Sequence, residues 1–182
     1  MVYIFLAEGF ETMEMTVPLD MMRRAGLEVN TISISDAFLV KSAQGVPVEA
    51  DDLFDNTDFS DAQLLVLPGG LPGSDYLYAH KGLKNLLREF LAQGGPVGAI
   101  CAAPTVLGRH GFLEGRKATC YPGCEGNLKG AQYTASFVEQ DGNIITACGP
   151  AASVEFAGAL IRLLCGQEVL DKIRGEMQFP RV

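Results

Sequence analysis

The sequence contains little positive charge. Its 182 residues include 14 Lys and Arg against 22 Asp and Glu, which gives a net charge of −8. An acidic chain repels phosphate backbones, and the basic residues here are scattered, so we do not expect nucleic-acid binding. No basic amphipathic segment predicts binding to a membrane surface.

A long hydrophobic run is also missing. The apolar stretch at residues 1–7 is too short to span a membrane. It has neither the basic flank nor the cleavage site of a signal peptide. It therefore predicts a first β-strand, and the expected compartment is the cytoplasm.

Histidine and paired cysteine are scarce. There are two histidines, His80 and His110, and five cysteines. An odd number of cysteines without an export signal argues against a disulfide framework. Cys120 and Cys124 form a C-x3-C pair, but zinc sites usually add a second pair or nearby histidines. We therefore predict no metal site.

Apolar segments of strand length alternate with segments of helical period. The predicted strands are residues 1–6, 27–34, 64–67, 97–100, 118–120, 133–137 and 143–147, with a hairpin formed by 38–40 and 46–48. The predicted helices are residues 11–25, 81–93, 103–110 and 151–165. Strands buried on both faces and separated by helices favour a mostly parallel sheet with helices on both sides. We predict one α/β domain over residues 1–182, with a frayed tail at 178–182.

Cys101 is the strongest candidate for a catalytic residue. It stands between the predicted strand 97–100 and the predicted helix 103–110, and ligands of open parallel sheets bind at such strand ends. A nearby helix N-terminus favours a thiolate. The small neighbour Ala102 suits a tight, strained turn like the nucleophile elbow of hydrolases. The alternative is a buried structural cysteine.

Glu14 lies on the apolar stripe of the first predicted helix, together with Val17, Pro18 and Met21. A carboxylate on an apolar face is unfavourable unless it is paired or protonated. Glu14 is also near the end of the first strand, so a protonated Glu14 is expected to donate a hydrogen bond to a Cys101 thiolate and to lower the pKa of the thiol. The alternative is that Glu14 only complements the helix dipole.

Glycines follow two of the predicted strands. Gly69 and Gly70 come after strand 64–67, where backbone amides can approach a ligand closely and hold an oxyanion. An ordinary turn is the alternative. The spacing matches neither a Walker loop nor GxGxxG, so no nucleotide site is predicted. Cys148, Gly149 and Pro150 end a late strand and are predicted to line the same cleft, whereas Cys165 is predicted to lie in a helix core.

Several short motifs together resemble one family. They are residues 7–14 (AEGFETME), 67–70 (LPGG), 99–105 (AICAAPT), and the pairs 149–150 (GP) and 155–156 (EF). They occur in the family's order over nearly the whole chain. On these residues the chain resembles the ThiJ/PfpI superfamily, whose domain is like that of class I glutamine amidotransferases, and in particular the branch of the Parkinson-associated protein deglycase.

The resemblance implies a flavodoxin-like three-layer sandwich and a homodimer. It implies that Cys101 is the nucleophile, that Glu14 contacts it, and that the backbone amides of Gly70 and Ala102 surround the thiolate. Family activities include the cofactor-free conversion of 2-oxoaldehydes to hydroxy acids, called glyoxalase III, and the repair of glycated proteins. Oxidative-stress sensing and chaperone behaviour are also attributed to the family.

The chain departs from the family's pattern at one position. The family often has a histidine before a proline near the cysteine, but here Tyr121 precedes Pro122, and neither histidine of the chain matches that position. Tyr121 is predicted to line the cleft, yet a phenol is a poor base at neutral pH. The protease-like branch has a histidine directly after the nucleophile. Ala102 stands there instead, which argues against a peptidase.

The sequence thus supports functions of two different classes. In the first, Cys101 attacks the aldehyde of a 2-oxoaldehyde, Glu14 moves a proton through an enediol, and the resulting thioester is hydrolysed, slowly and without a cofactor. In the second, the protein is a redox sensor or chaperone-like stress protein in which Cys101 is oxidised to a sulfinic acid held by Glu14. A binding domain with an inert Cys101 is a third reading.

Overall fold

A mostly parallel sheet forms the centre of the protein. The computed structural model describes residues 1–179, so residues 180–182 of the predicted tail lie outside the described residues. The strands are β1 (Val2–Leu6), β2 (Val29–Ser33), β3 (Leu39–Lys41), β4 (Pro47–Glu49), β5 (Asp52–Leu53), β6 (Leu64–Leu67), β7 (Val97–Ile100), β8 (Lys117–Ala118), β9 (Gln132–Tyr133), β10 (Val138–Asp141) and β11 (Ile144–Ala147).

Seven of these strands form the central sheet, in the order β10-β11-β7-β6-β1-β2-β5. All neighbours in it are parallel except β10 and β11, which form an antiparallel pair. The hairpin β3–β4 and the pair β8–β9 form two small separate sheets. The sheet order places β7 between β6 and β11, so the ends of these three strands lie side by side.

Helices cover both faces of the sheet. They are α1 (Thr12–Arg24), α2 (Gly73–Ala79), α3 (Lys81–Ala92), α4 (Pro104–Arg109), α5 (Ser153–Cys165) and α6 (Gln167–Glu176). One core joins α1, α5 and α6 to one face of the sheet, and the other joins α2, α3 and α4 to the opposite face. The predicted α/β architecture with three layers is confirmed.

β1 shows why the sheet strands are apolar throughout. Its alternate side chains point to opposite faces. Ile4 and Leu6 join the core beneath α1 and α5, whereas Tyr3 and Phe5 join the core beneath α2 and α3. All five residues of the strand are buried, so neither face leaves room for the polar alternation of a half-exposed strand.

The structure differs from the predicted elements mainly near the end of the chain. The predicted strand 133–137 is wrong, because pairing with β8 stops at Tyr133 and the next strand is β10. β10 is an edge strand with partly exposed polar residues, and its sequence lacks the apolar pattern that predicts a strand. The helices α2 and α6 were also not predicted.

None of the helices within residues 1–179 is long and apolar enough to cross a bilayer.

Candidate active site

Cys101 lies at the carboxyl end of β7, in a strained backbone conformation. Its φ angle is 64°, a left-handed value that non-glycine residues adopt only at a cost. Two backbone hydrogen bonds hold it there: the amide of Cys101 donates to the oxygen of Ala147 at 2.8 Å, and the amide of Tyr121 donates to the oxygen of Cys101 at 2.8 Å. The conformation is that of the elbow the sequence predicts, and Cys101 is only 8% exposed.

Glu14 lies in the first turn of α1 and has no exposed surface. The side chain of Glu11 caps the helix by accepting a hydrogen bond from the amide of Glu14 at 2.9 Å. The carboxyl group of Glu14 points inward, where its Oε2 accepts a hydrogen bond from the amide of Gly69 at 2.8 Å. Its Oε1 has no hydrogen-bond partner within residues 1–179. Glu14 therefore does more than complement the helix dipole from the surface.

Burial raises the pKa of Glu14 to about 7, although the neighbouring thiol of Cys101 and the hydrogen bond from the amide of Gly69 act in the opposite direction. Burial also raises the pKa of the Cys101 thiol, and the charge of Glu14 raises it further. The backbone amides of Ala102 and Gly70 lower it by less. The expected lowering of the thiol pKa is therefore wrong, because burial and a neighbouring carboxylate outweigh the amides. The two groups compete for a single negative charge.

Gly69 and Gly70, which follow β6, contact different members of the pair: Gly69 contacts Glu14, and Gly70 faces Cys101. The amide of Gly69 is committed to Glu14, and a side-chain Cβ at this position would lie 2.7 Å from Glu14 Oε2 and 2.8 Å from the Cβ of Cys101. Only glycine lets β6 end this close to both groups. Gly70 has a φ of 89°, and its amide faces the sulfur of Cys101 together with that of Ala102.

A small cleft opens beside the sulfur. Its volume is about 190 Å³ and its exposed lining is almost entirely apolar. It is lined by Gly70, Leu71, Cys101, Ala102, Tyr121 and Cys124. The sequence pointed to four of these residues as site residues. It did not place Leu71 and Cys124 there, because a loop residue's distance from the cleft depends on tertiary packing.

Other residues predicted to line the cleft contact different parts of the protein. Gly69 is buried against Glu14, and Gly149 packs behind the ring of Tyr121, where an added Cβ would lie 3.3 Å from Cδ2. Pro150 accepts a hydrogen bond from the hydroxyl of Ser153 at 2.7 Å. Gly69, Cys148, Gly149 and Pro150 are not among the residues that line this cleft, so the predicted lining is corrected at these four positions: the amide of Gly69 is bound to Glu14 instead, and Cys148 packs against the core beneath α1 and α5.

Both histidines have structural partners elsewhere. Nδ1 of His80 accepts a hydrogen bond from the amide of Leu83 at 3.0 Å, at the start of α3. The ring of His110 stacks on Tyr78 with 4.5 Å between the ring centroids. Burial lowers the pKa of both imidazoles. No imidazole lines the cleft, and the described part of the chain has no cluster of three or more side chains placed to hold a metal ion.

Comparison with known proteins connects this site to a family. The sequence model of the DJ-1/PfpI family matches residues 1–163. The chain belongs to the DJ-1/PfpI family. The likeness extends over most of the chain and includes every residue of the pair and the cleft described above.

Curated DJ-1 relatives match almost the whole chain. The chain is 36% identical over 178 residues to Protein DJ-1 homolog B of Arabidopsis thaliana, which covers 97% of this chain and 41% of the plant protein. It is 33% identical over 178 residues to the Parkinson disease protein 7 homolog of Danio rerio, with 96% of this chain and 94% of the fish protein covered. The chain thus spans less than half the length of the plant relative.

Solved DJ-1 structures share the fold. The structure of oxidised DJ-1 from Toxoplasma gondii is similar to this chain with a TM-score of 0.94 and 32% sequence identity. The match covers 99% of this chain and 98% of the Toxoplasma chain. This likeness confirms the flavodoxin-like sandwich predicted from the sequence motifs.

Proposed function

We propose that the protein converts 2-oxoaldehydes to 2-hydroxy acids without a cofactor, in the manner of a glyoxalase III or protein deglycase. One observation carries the proposal. Glu14 is fully buried beside Cys101, with one oxygen held by Gly69 and the other unpartnered. A carboxyl group in this position can take a proton from the thiol and return it to a substrate atom in the same place.

The first step forms a bond between sulfur and carbon. The Cys101–Glu14 pair carries one proton and one negative charge once Glu14 has titrated near its raised pKa of about 7. As the sulfur attacks the aldehyde carbon, Glu14 holds the thiol proton. The oxygen of the aldehyde gains negative charge next to the amides of Gly70 and Ala102, which stabilise it. Protonation of this oxygen gives a hemithioacetal.

The second step is an internal oxidation and reduction. Glu14 in its carboxylate form removes the proton from the former aldehyde carbon, which gives an enediol, and a proton then returns to the neighbouring carbon. The first carbon has become a thioester and the second a secondary alcohol. Water hydrolyses the thioester, which releases the 2-hydroxy acid and restores the thiol. The electrons stay within the substrate, so the sequence of steps balances without an external oxidant.

The lining of the cleft bears on the substrate. No basic side chain lines the cleft, and Leu71 and Tyr121 present apolar surface to it. This surface favours a small uncharged 2-oxoaldehyde such as methylglyoxal over an anionic substrate. Peptidase activity is not proposed, because a cysteine peptidase needs a base that activates the thiol and then protonates the amine, and no imidazole lines the cleft.

The test is the formation of lactate from methylglyoxal under reducing, oxygen-free conditions. The wild-type protein is expected to form many equivalents of lactate per chain, and Cys101→Ser and Glu14→Gln are expected to form none above background. Cys165→Ser is the matched control, since this thiol lies at the end of α5, and it should keep full activity. Turnover that survives in Cys101→Ser would overturn the proposal.

A redox sensor or chaperone-like stress protein is the second candidate. The same Cys101–Glu14 pair supports it, because a protonated Glu14 can donate a hydrogen bond to an oxidised sulfur, and the similar Toxoplasma structure is of an oxidised DJ-1. Oxidation of Cys101 to a sulfinic acid in a protein that shows no lactate formation would favour this candidate over the enzyme.

We also propose that the protein acts in the cytoplasm as a homodimer. Apolar side chains of α1 and of the hairpin β3–β4 support a dimer: Met13, Leu39 and Val46 are 49%, 64% and 43% exposed. A hydrogen bond from Thr12 to Ser42 at 2.8 Å joins the start of α1 to the hairpin turn, so the two exposed apolar elements are in contact.

A further inference from the structure

A second thiol lines the cleft that contains Cys101. Cys124 forms part of the same apolar lining. Two consecutive backbone hydrogen bonds tie its loop to the nucleophile. The amide of Tyr121 donates to the oxygen of Cys101 at 2.8 Å, and the amide of Cys124 donates to the oxygen of Tyr121 at 3.0 Å. These two bonds connect the backbone of Cys124 to that of Cys101 through Tyr121.

The remaining cysteines do not line the cleft. Cys120 is fully buried in the core beneath α2, α3 and α4, and its thiol donates to the oxygen of Tyr121 at 3.4 Å. Cys148 packs against the core beneath α1 and α5, which also contains Cys101, but it does not line the cleft. Cys165 lies in the last turn of α5. Of the four other thiols, Cys124 alone shares the lining of the cleft with Cys101.

The loop around Cys124 lies at the surface of the protein. Its residues 121–127 are exposed except for the partly buried Cys124. Gly123 and Gly126 stand on either side of it, and no atom lies within 4 Å of the place where a side chain would begin on either glycine. Leu128, which is buried in the core, anchors the end of the loop. A disulfide needs about 3.5–4.5 Å between the two Cβ atoms, so its formation requires this exposed loop to bring Cys124 to that distance from Cys101.

We propose that Cys124 is the resolving cysteine of Cys101, so that hydrogen peroxide converts the two thiols into a disulfide that closes the cleft. The proposal shares with the proposed function only the reactivity of Cys101. It adds a covalent state that is reversible by a dithiol reductant, and in that state the nucleophile is unavailable to an aldehyde.

The chemistry balances in two steps. The sulfur of Cys101 attacks one oxygen of hydrogen peroxide; an S–O bond forms, the O–O bond breaks, and the hydroxide released becomes water with the thiol proton. Cys101 is then a sulfenic acid. The sulfur of Cys124 attacks it; an S–S bond forms, the S–O bond breaks, and a second water leaves with the proton of Cys124. Two thiols have been oxidised and one peroxide reduced.

The disulfide competes with irreversible damage. A sulfenic acid that meets no thiol reacts with further peroxide and becomes a sulfinic acid. A resolving thiol in the same cleft removes the sulfenic acid first, because its reaction is intramolecular and needs no second peroxide. Cys124 therefore protects Cys101, and its removal should make Cys101 easier to overoxidise.

The test is peptide mapping after treatment with one equivalent of hydrogen peroxide and blocking of the free thiols by alkylation. Before the free thiols are blocked, the intact mass should be about 2 Da below that of the reduced protein, as a disulfide requires. Trypsin should leave residues 89–109 linked to residues 118–129. The second peptide contains both Cys120 and Cys124, and fragmentation at the bond between Tyr121 and Pro122 separates them. The link is expected on the fragment that carries Cys124.

The variants make the test decisive. Cys124→Ser should lose the linked peptide and reach the sulfinic state of Cys101 at a peroxide dose at least about fivefold lower than the wild type. Cys148→Ser is the matched control and should keep the link. Circular dichroism checks that each variant folds.

A wild-type protein that gains about 32 Da without a linked form, or a link that maps to Cys120 or Cys148, would overturn the proposal. Lactate formation, measured separately without peroxide, reports only on the proposed function.

Discussion

At the scale of single residues, Glu14 and Cys101 share one charge in a site with almost no access to water. The stripe of apolar residues on the first helix predicts that Glu14 is inside the protein, and the structure buries it fully. The hydrogen bond from Gly69 could not be predicted, because it depends on how the end of β6 meets α1. The direction in which the thiol pKa shifts could not be predicted from the sequence either. It depends on whether burial, which raises the pKa, outweighs the nearby backbone amides, which lower it.

The raised pKa of Glu14 makes the stability of the protein depend on pH. The folded state holds the proton up to about pH 7, whereas the unfolded chain loses it near 4.5. The stabilisation from this proton is complete below the unfolded pKa and is lost as the pH rises through the folded one. Between pH 5 and pH 8 the wild type should lose about 2 kcal/mol relative to Glu14→Gln.

Urea unfolding of the two proteins at both pH values measures this difference. Glu11→Gln serves as a control, because it changes a nearby carboxylate that is partly exposed and keeps the oxygen that caps α1. An equal pH dependence in wild type and Glu14→Gln would show that Glu14 keeps an ordinary pKa in the folded state.

Tyr121 stands where the family often has a histidine, and it lines the cleft. If the missing imidazole limits proton transfer, Tyr121→His should raise kcat/KM for methylglyoxal by about tenfold or more, since a well-placed general base contributes at least that much. Tyr121→Phe should leave kcat/KM unchanged, because the phenol is not expected to act as a base. A large loss in Tyr121→Phe would instead give the hydroxyl a role in the reaction.

At the scale of elements, β7 positions the nucleophile, and its packing depends on a glycine. A Cβ on Gly98 would lie 2.9 Å from Cδ2 of Leu160 and 2.9 Å from Cζ of Phe156, both on α5. The apolar run of β7 predicts a buried strand and the cysteine at its end. It does not reveal that α5 lies this close, because the packing of a distant helix leaves no local pattern.

Gly98→Ala should therefore destabilise the protein by about 1–3 kcal/mol, the usual cost of overpacking a core, and should displace β7 and lower the activity of Cys101. Thermal unfolding and methylglyoxal turnover measure the two effects. Gly126→Ala is the matched control, since its added methyl group meets no atom within 4 Å. If Gly98→Ala were as stable as the wild type, α5 would have to shift to accommodate the added methyl group without a loss of stability, which would contradict the prediction.

The elements themselves were predicted with uneven success for physical reasons. Strands β1, β6 and β7 are buried on both faces, so their continuous apolar runs could be recognised. The edge strand β10 has one neighbour in the sheet and carries polar residues, so it has no such run. The short helix α2 has seven residues, too few for a helical period to stand out.

At the scale of the whole molecule, the proposed homodimer predicts both the mass in solution and the effect of surface substitutions. The exposed apolar side chains of α1 and the hairpin β3–β4 would be covered by a second copy. Sedimentation at micromolar concentration should give twice the mass of the 19.5 kDa chain. Leu39→Glu should yield a folded monomer, whereas Leu163→Glu, which alters a comparably apolar position on α5, should remain a dimer. A wild-type monomer would refute the proposed assembly.

The pH dependence of Cys101 alkylation by iodoacetamide tests the shared proton most directly. In the wild type, the rate should rise with pH through an inflection at or below about 7, where the pair loses its first proton. In Glu14→Gln this inflection should be lost, because the amide does not titrate, and the rate should rise only at higher pH, where the buried thiol itself loses its proton. An inflection at the same pH in both proteins would contradict the pairing of Glu14 with Cys101, and a Cys101 that reacts no faster than Cys165 would contradict its role as a nucleophile.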